Sequence, residues 1–179
     1  MSLPHAILGL LKYRSSTGYE LKTKFSKSVY FFWNATLPQI YRTLKEMSAR
    51  GWLTITIEHQ KTKPSRKIYH LTSTGRKEFQ RWLAEEPRFP EHRNPMLIRV
   101  FFGKNMEPRR LRDQLQQYRG YYAGLLRQYE KESASAIKQY ASSANLAKDA
   151  PYWNLARDFG RRHAKMVIEW CDAAIASLD

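Results

Sequence analysis

From His59 to Lys67 the chain reads HQKTKPSRK, with Lys61, Lys63, Arg66 and Lys67 basic and no acid among them. A loop of one sign gains affinity for a polyanion, because phosphates that it neutralises release their condensed counterions. Such contacts hold a duplex without reading it. Upstream, Gln39 and Arg42 stand one helical turn apart near the start of a segment with helix-start signals. In the major groove a Gln can bridge the adenine edge and an Arg the guanine edge, each good pair worth about 1–3 kcal/mol of discrimination. The same residues, with Thr43, Lys45 and Glu46, also suit a merely solvated helix face. The order of the segments favours the first reading: a basic loop follows directly on a capped helix of about 14 residues, the length that enters a major groove.

Other chemistries find no support in the residues. His5, His59, His70, His92 and His163 show no metal-ligand spacing, and one cysteine, Cys171, cannot complete a zinc site. There is no phosphate-cradling glycine loop and no dinucleotide fingerprint. No acid or histidine can be paired with a particular Ser or Cys nucleophile. Cys171, beside Trp170 on an apolar stripe, reads as packed rather than reactive. The expectation is a protein without catalysis, metal or cofactor.

The elements that position these residues follow from periodicity. Leu3 to Lys12 reads as a short apolar helix, and Ser15-Ser16-Thr17-Gly18 as a turn whose hydroxyls cap a second helix from Tyr19 to about Ser28. Thr36-Leu37-Pro38-Gln39 fits a capping box, and Leu37, Ile40, Tyr41, Leu44 and Met47 repeat at helical spacing up to Gly51. The period then changes to two: Leu53, Ile55 and Ile57 alternate with polar residues as a half-buried strand. The loop from Gln60 to Ser65 leads to a second strand, Arg66 to Leu71. Thr72 caps a further helix with Phe79, Trp82 and Leu83.

Pro87, Pro90 and Pro95 then interrupt any regular element. The domain boundary is placed there, giving residues 1–88, a Pro-rich linker at 89–95, and residues 96–179. Met96 to Phe102 reads as a short helix closed by Gly103. Beyond it Leu111, Leu115, Tyr118, Tyr122, Leu125 and Tyr129 step by 4, 3, 4, 3, 4, continued by Ala136 and Tyr140. That is a heptad seam on one helix of about 50 Å, so part of it is expected to need a partner. A last helix from Tyr152 to Leu178 carries Ala156, Phe159, Met166, Trp170 and Ala174 along one stripe.

Charge fits this division. The 179 residues hold 31 Lys and Arg against 16 Asp and Glu, a net +15. Residues 1–90 carry 16 of the cations and 6 of the acids, so the first half is the better anion-binding surface. A single cysteine suits a reducing compartment. The run Ala6 to Leu11 lacks the leader and cleavage site of a signal peptide, and no stretch has the apolar length of a membrane helix. A cytoplasmic protein without membrane contact is expected.

The run IYRTLKEMSARGWL, then RKIYHLTSTG and the helix with Trp82, resembles the winged-helix domain of the PadR family of transcription regulators. Ala6-Ile7-Leu8-Gly9-Leu10-Leu11 and Gly18-Tyr19-Glu20-Leu21 match its opening helices. LIRVFFGKNMEP and Ile168-Glu169-Trp170 are similar to the start and end of the helical C-terminal domain in its longer members. KPSRKIYHLT is particularly similar to the virulence-gene activator subgroup. The resemblance covers essentially the whole chain. It implies a homodimer with an N-terminal DNA-binding domain and a C-terminal dimerisation domain, with Gly18, Tyr19 and Tyr41 near phosphates and the helix around Gln39 and Arg42 on the bases. One departure stands out: many members carry Pro directly after the tyrosine, where this chain has Arg42.

The expectation is thus a mainly α chain with a small β-hairpin: an N-terminal winged helix-turn-helix and a C-terminal α-helical domain with a long coiled-coil-like helix. The candidate DNA-binding residues are Gly18, Tyr19, Lys22, Thr36, Pro38, Gln39, Tyr41, Arg42, Lys45, Lys61, Lys63, Ser65, Arg66 and Lys67. The candidate dimer residues are Leu111, Leu115, Tyr118, Tyr122, Leu125, Tyr129, Phe159, Met166 and Trp170. The partner is a pseudo-palindromic double-stranded DNA. Tyr118, Tyr121, Tyr122, Tyr129, Trp153, Phe159 and Trp170 line a pocket for a small aromatic effector or, as their helical spacing favours, form core and dimer seam. The rival reading is a winged-helix adaptor that meets an acidic protein partner.

Overall fold

The computed structural model describes residues 3–27, 35–59, 65–87, 93–142 and 146–178. The chain divides into two compact units, Met1–Arg88 and Phe89–Asp179.

In the first unit the elements run α1 (Leu3–Tyr13), β1 (Ser16–Thr17), α2 (Gly18–Lys27), α3 (Leu37–Ala49), β2 (Leu53–Glu58), β3 (Arg66–Leu71) and α4 (Ser73–Ala84). Ile7, Leu8 and Leu11 of α1, Leu21 and Phe25 of α2, and Ile40, Leu44 and Met47 of α3 converge on one core. The helix starts are written in short side chains. Thr17 and Glu20 cap α2 reciprocally, the Thr17 N–H donating to Glu20 Oε2 at 2.7 Å and the Glu20 N–H to Thr17 Oγ1 at 3.2 Å. Thr72 Oγ1 accepts the Gly75 N–H at 3.0 Å and donates to the Gly51 carbonyl at 2.8 Å, fastening α4 to the turn after α3.

Two expectations need correction here. The 15–18 segment is more than a capping turn: Ser16 and Thr17 pair with Tyr69 and Ile68, so the hairpin becomes a three-stranded antiparallel sheet in the order β1-β3-β2. The β2 strand is half-buried only at its base. Leu53 lies in the core, but Ile55 and Ile57 are 44% and 52% exposed, because the hairpin runs out beyond the helices that could cover it.

An α1–α4 clasp holds the unit from the other side. The His5 ring stacks on Trp82 at 4.7 Å and shares a hydrogen bond with Glu78 Oε1 at 3.0 Å. Arg81 grips the same carboxylate at 2.7 and 2.8 Å. The Arg81 hydrogen bonds, with that of His5, hold the Glu78 carboxyl down to about 2 from an ordinary 4.5. A carboxyl with a depressed folded value stabilises above its unfolded value and loses that contribution as pH falls through the folded one. The first unit is therefore expected to lose stability between about pH 4.5 and 2. Thermal melts across that range check it: the gap between the native protein and Glu78→Gln, present at pH 7, should close at the acid end.

The second unit consists of α5 (Pro95–Phe101), a 3-10 turn at Gly103–Asn105, α6 (Pro108–Gln128), a π turn at Tyr129–Ser133, α7 (Ala134–Ala141), a 3-10 turn at Ala147–Asp149 and α8 (Ala150–Ala176). Helices α6 and α8 pack antiparallel: Arg112 reaches the Leu178 carbonyl, Arg119 pairs with Asp172, and Tyr129 covers Gly160. The core is Met96, Leu111, Leu115, Val167 and Cys171, and burial pushes the Cys171 thiol up. Cys171 is packed, as its neighbours suggest.

The heptad reading changes in three ways. The seam residues Leu111, Leu115 and Tyr129 are already buried within the chain, while Tyr118, Tyr122 and Leu125 are only half-buried. The rod is not one uniform α-helix, since the π turn breaks the repeat at Tyr129, where the Arg157 guanidinium donates to the Tyr129 carbonyl at 3.3 Å. And α8 packs through the stripe Gly160, Ala164, Val167 and Cys171 rather than through the bulkier residues beside it. Small residues let the two backbones approach. Of the apolar stripe read along this helix, Phe159 and Met166 are 70% and 53% exposed, while Trp170 and Ala174 pack at the core's edge.

Candidate nucleic-acid interface

Helix α3 begins as its sequence dictates. Thr36 caps it, Pro38 occupies the first turn, and the box closes in both directions. Gln39 donates its backbone N–H to Thr36 Oγ1 at 3.4 Å, while its side-chain Oε1 accepts the Thr36 N–H at 2.8 Å and the Thr36 hydroxyl at 3.0 Å. Ile40, Thr43, Leu44 and Met47 face inward; Thr43, grouped with the outward residues in the sequence reading, is buried. Pro38, Gln39, Tyr41, Arg42, Lys45 and Glu46 are exposed, a polar face along the helix.

Two other elements border it. The Tyr41 ring lies over the start of α2, where a Cβ added at Gly18 would come within 2.5 Å of the ring, so only glycine admits this contact. Tyr19, the next residue, is 69% exposed. Thr17 pairs with Ile68, so the antiparallel register carries β3 outward to Lys67 and Arg66 as α2 begins. Ser65, Arg66 and Lys67 are all exposed. Ser65 hydrogen bonds with His59 at 3.1 Å, and Arg66 stands 4.0 Å from Glu58, a loose surface pair. Lys61 and Lys63 lie outside the described residues. Lys22 is placed differently from the rest: its Nζ donates to the Ala35 carbonyl at 2.8 Å and ties α2 to the approach of α3.

The second unit holds a cleft of about 440 Å³ that the sequence reading located only in part. Tyr118 and Tyr122 form its wall, as one of the two sequence readings had it. Arg93, Asn94, Met96, Arg99 and His163 join them from the α5 start and α8. Asn94 donates to the Tyr118 hydroxyl at 3.1 Å, which lies 3.4 Å from that of Tyr122. Burial and the Tyr118 hydrogen bond push the Tyr122 phenol well above its usual value. Of the other aromatics, Tyr129 and Trp170 pack in or at the core, and Trp153 meets Tyr140. The available signal was Asn94-Pro95, a cap that places a polar amide at the cleft's mouth. Among the described residues no group of three or more His, Cys, Asp or Glu could hold a metal ion, and no helix is long and apolar enough to cross a membrane.

The first unit is a winged helix, and the second a helical appendage built on an antiparallel pair. Residues 7–81 match the profile of the PadR-like family of transcriptional regulators, and residues 92–179 that of the virulence activator alpha C-terminal family. Over 182 aligned residues the chain is 30% identical to the negative transcriptional regulator PadR of Bacillus subtilis, covering 99% of this chain and 97% of that one. An 85-residue stretch is 46% identical to the "Probable transcriptional regulator Rv1176c" of Mycobacterium tuberculosis, covering 48% of this chain and 45% of that protein. The fold matches crystal structures of B. subtilis PadR with operator DNA (TM-score 0.81, 24% identity, all of both chains) and of the Vibrio cholerae virulence activator AphA (TM-score 0.77, 27% identity, 99% and 98% of the chains). A further PadR structure, with p-coumaric acid, superposes with a TM-score of 0.73 at 24% identity over all of this chain and 99% of that one. The chain belongs to the PadR-like family of transcriptional regulators, proteins that regulate rather than catalyse.

Proposed function

We propose that this regulator binds a pseudo-palindromic duplex DNA in the cytoplasm as a homodimer, its 1–88 unit on the DNA and its 96–179 unit joining the two copies. The observation that carries the reading is the exposed polar face of α3, bordered by the start of α2 and the cationic end of β3. Gln39 and Arg42 meet base edges. Gly18, Tyr19, Tyr41, Lys45, Ser65, Arg66 and Lys67, with Lys61 and Lys63, meet phosphates, while Thr36, Pro38 and Lys22 hold the reading helix in place. Two such units reach half-sites about one helical turn apart. A mobility-shift titration at about 50 mM salt tests this: salt-dependent retention of duplex DNA is expected, and its absence overturns the proposal in favour of an acidic protein partner.

The dimer surface lies on the outer face of α8, where Tyr152, Leu155, Phe159 and Met166 are exposed at helical spacing. A soluble chain rarely leaves so many large apolar groups on one stripe unless something covers them. The double variant Phe159→Glu, Met166→Glu should sediment at half the native mass and keep its helical circular dichroism.

The reading includes a small aromatic effector in the cleft of the second unit. Tyr118 and Tyr122 supply aromatic walls, and Arg93 and Arg99 supply charge for an acidic group. p-Coumaric acid, titrated against the protein's intrinsic fluorescence, is the direct probe.

A further inference from the structure

We infer that Gln39 reads guanine, and not adenine, because its capping role leaves it only hydrogen-bond donors to offer a base. The inference rests on α3 entering the major groove. An amide oxygen has two lone pairs. Both are occupied here, by the Thr36 N–H at 2.8 Å and the Thr36 hydroxyl at 3.0 Å. The first assignment is fixed by chemistry, since a backbone N–H can only donate; the atom facing it is the oxygen, and the amide nitrogen is the one turned away. The Gln39 side chain is exposed, so the two N–H groups of Nε2 are what it presents outward.

The adenine fork needs a side-chain oxygen to accept from N6–H₂ and a nitrogen to donate to N7. Gln39 can make it only by releasing Thr36 and giving up the helix cap. Guanine presents two adjacent acceptors, N7 and O6, and asks for donors alone. It is met with the cap intact. Cytosine presents a donor at N4, which this Gln cannot accept. The adenine fork carries the cost of uncapping the reading helix, and that cost is of the same size as a base contact, so it decides between the two purines. Arg42, one turn further along, is also a pure donor. Both base-facing side chains therefore ask for guanine acceptors.

The experiment selects bound sequences from a random duplex pool with the native protein and with Gln39→Glu. Glutamate at this position keeps the box, one oxygen still accepting the Thr36 N–H, but turns the outward group from donor to acceptor. One column per half-site is expected to change from guanine to cytosine, with about a tenfold shift in preference, while the melting temperature stays the same. In the native site, 7-deazaguanine at that column removes the N7 acceptor and should weaken binding several-fold, a result that holds even if the added carboxylate prevents Gln39→Glu from binding. Adenine in the native column, or indifference to 7-deazaguanine, overturns the inference and leaves the DNA reading standing. A native pool without any enriched motif overturns both.

Discussion

Replacing Arg66 and Lys67 together by alanine lowers affinity for every duplex alike, on the order of 30-fold, if each contributes about 1 kcal/mol through a phosphate contact. The same change flattens the salt dependence. Each neutralised phosphate adds about 0.9 to the slope of log K against log salt, so two lost contacts remove about 1.8. Both side chains are exposed at the outer end of β3, where neither supports the core, so the melting temperature should hold. Arg42→Ala is the contrasting variant: preference relaxes at one base pair, and the affinity for random duplex stays close to native. Mobility shifts at several salt concentrations, on a selected and a random duplex, separate the two behaviours. Equal losses on both duplexes for Arg42→Ala and for the double variant would show that reading and holding are not divided as argued.

The second large effect belongs to the helical unit. Gly160→Ala places a methyl group inside the Tyr129 ring, which is itself buried and held over Gly160 by the closeness of α6 and α8. Neither side can yield cheaply: the ring sits at the π turn, and α8 is packed along Ala164, Val167 and Cys171. Overpacking of this kind costs about 3 kcal/mol. For a unit of this size that lowers its unfolding midpoint by more than about 10 °C, read by differential scanning calorimetry. The companion Tyr129→Leu in the Gly160→Ala background should recover part of the loss, because it removes the atoms that the methyl meets. No recovery would mean that the damage lies elsewhere.

What the sequence disclosed about this chain follows the range of the forces involved. The Thr36–Gln39 box was legible because both partners lie within one turn and the pattern specifies its own geometry. The α3 core stripe was legible for the same reason, apart from Thr43, whose hydroxyl marks it as polar although the residue is buried. The β1 strand was not legible. Two residues carry no period, and Ser16 and Thr17 become a strand only because Tyr69 and Ile68 arrive from far along the chain. The exposure of Ile55 and Ile57 was hidden by alternation, which reports the two faces of a strand but not how far the core extends beneath it. In the second unit, the apolar stripe with Phe159 and Met166 was legible, but not that close helix approach would select Gly160 and Ala164 for the contact with α6. Size, not apolarity, decided which face turned inward. Only the Tyr118 and Tyr122 wall of the cleft was legible, since Arg93 before α5 and His163 on α8 reach it from distant parts of the chain.

The wide turn at Tyr129–Ser133 has one more consequence. It houses one residue more than regular winding needs, and each residue rotates a helix by about 100°. Everything on the distal side is therefore set out of phase with the seam before it. Hybrids that splice the proximal rod of this chain to the distal rod of a relative must carry the surplus residue with the splice, or the far half will present the wrong side. Conversely, deleting a single residue within 130–133 re-aims that half while leaving Tyr129 on Gly160 and the clamp between Arg119 and Asp172 in place.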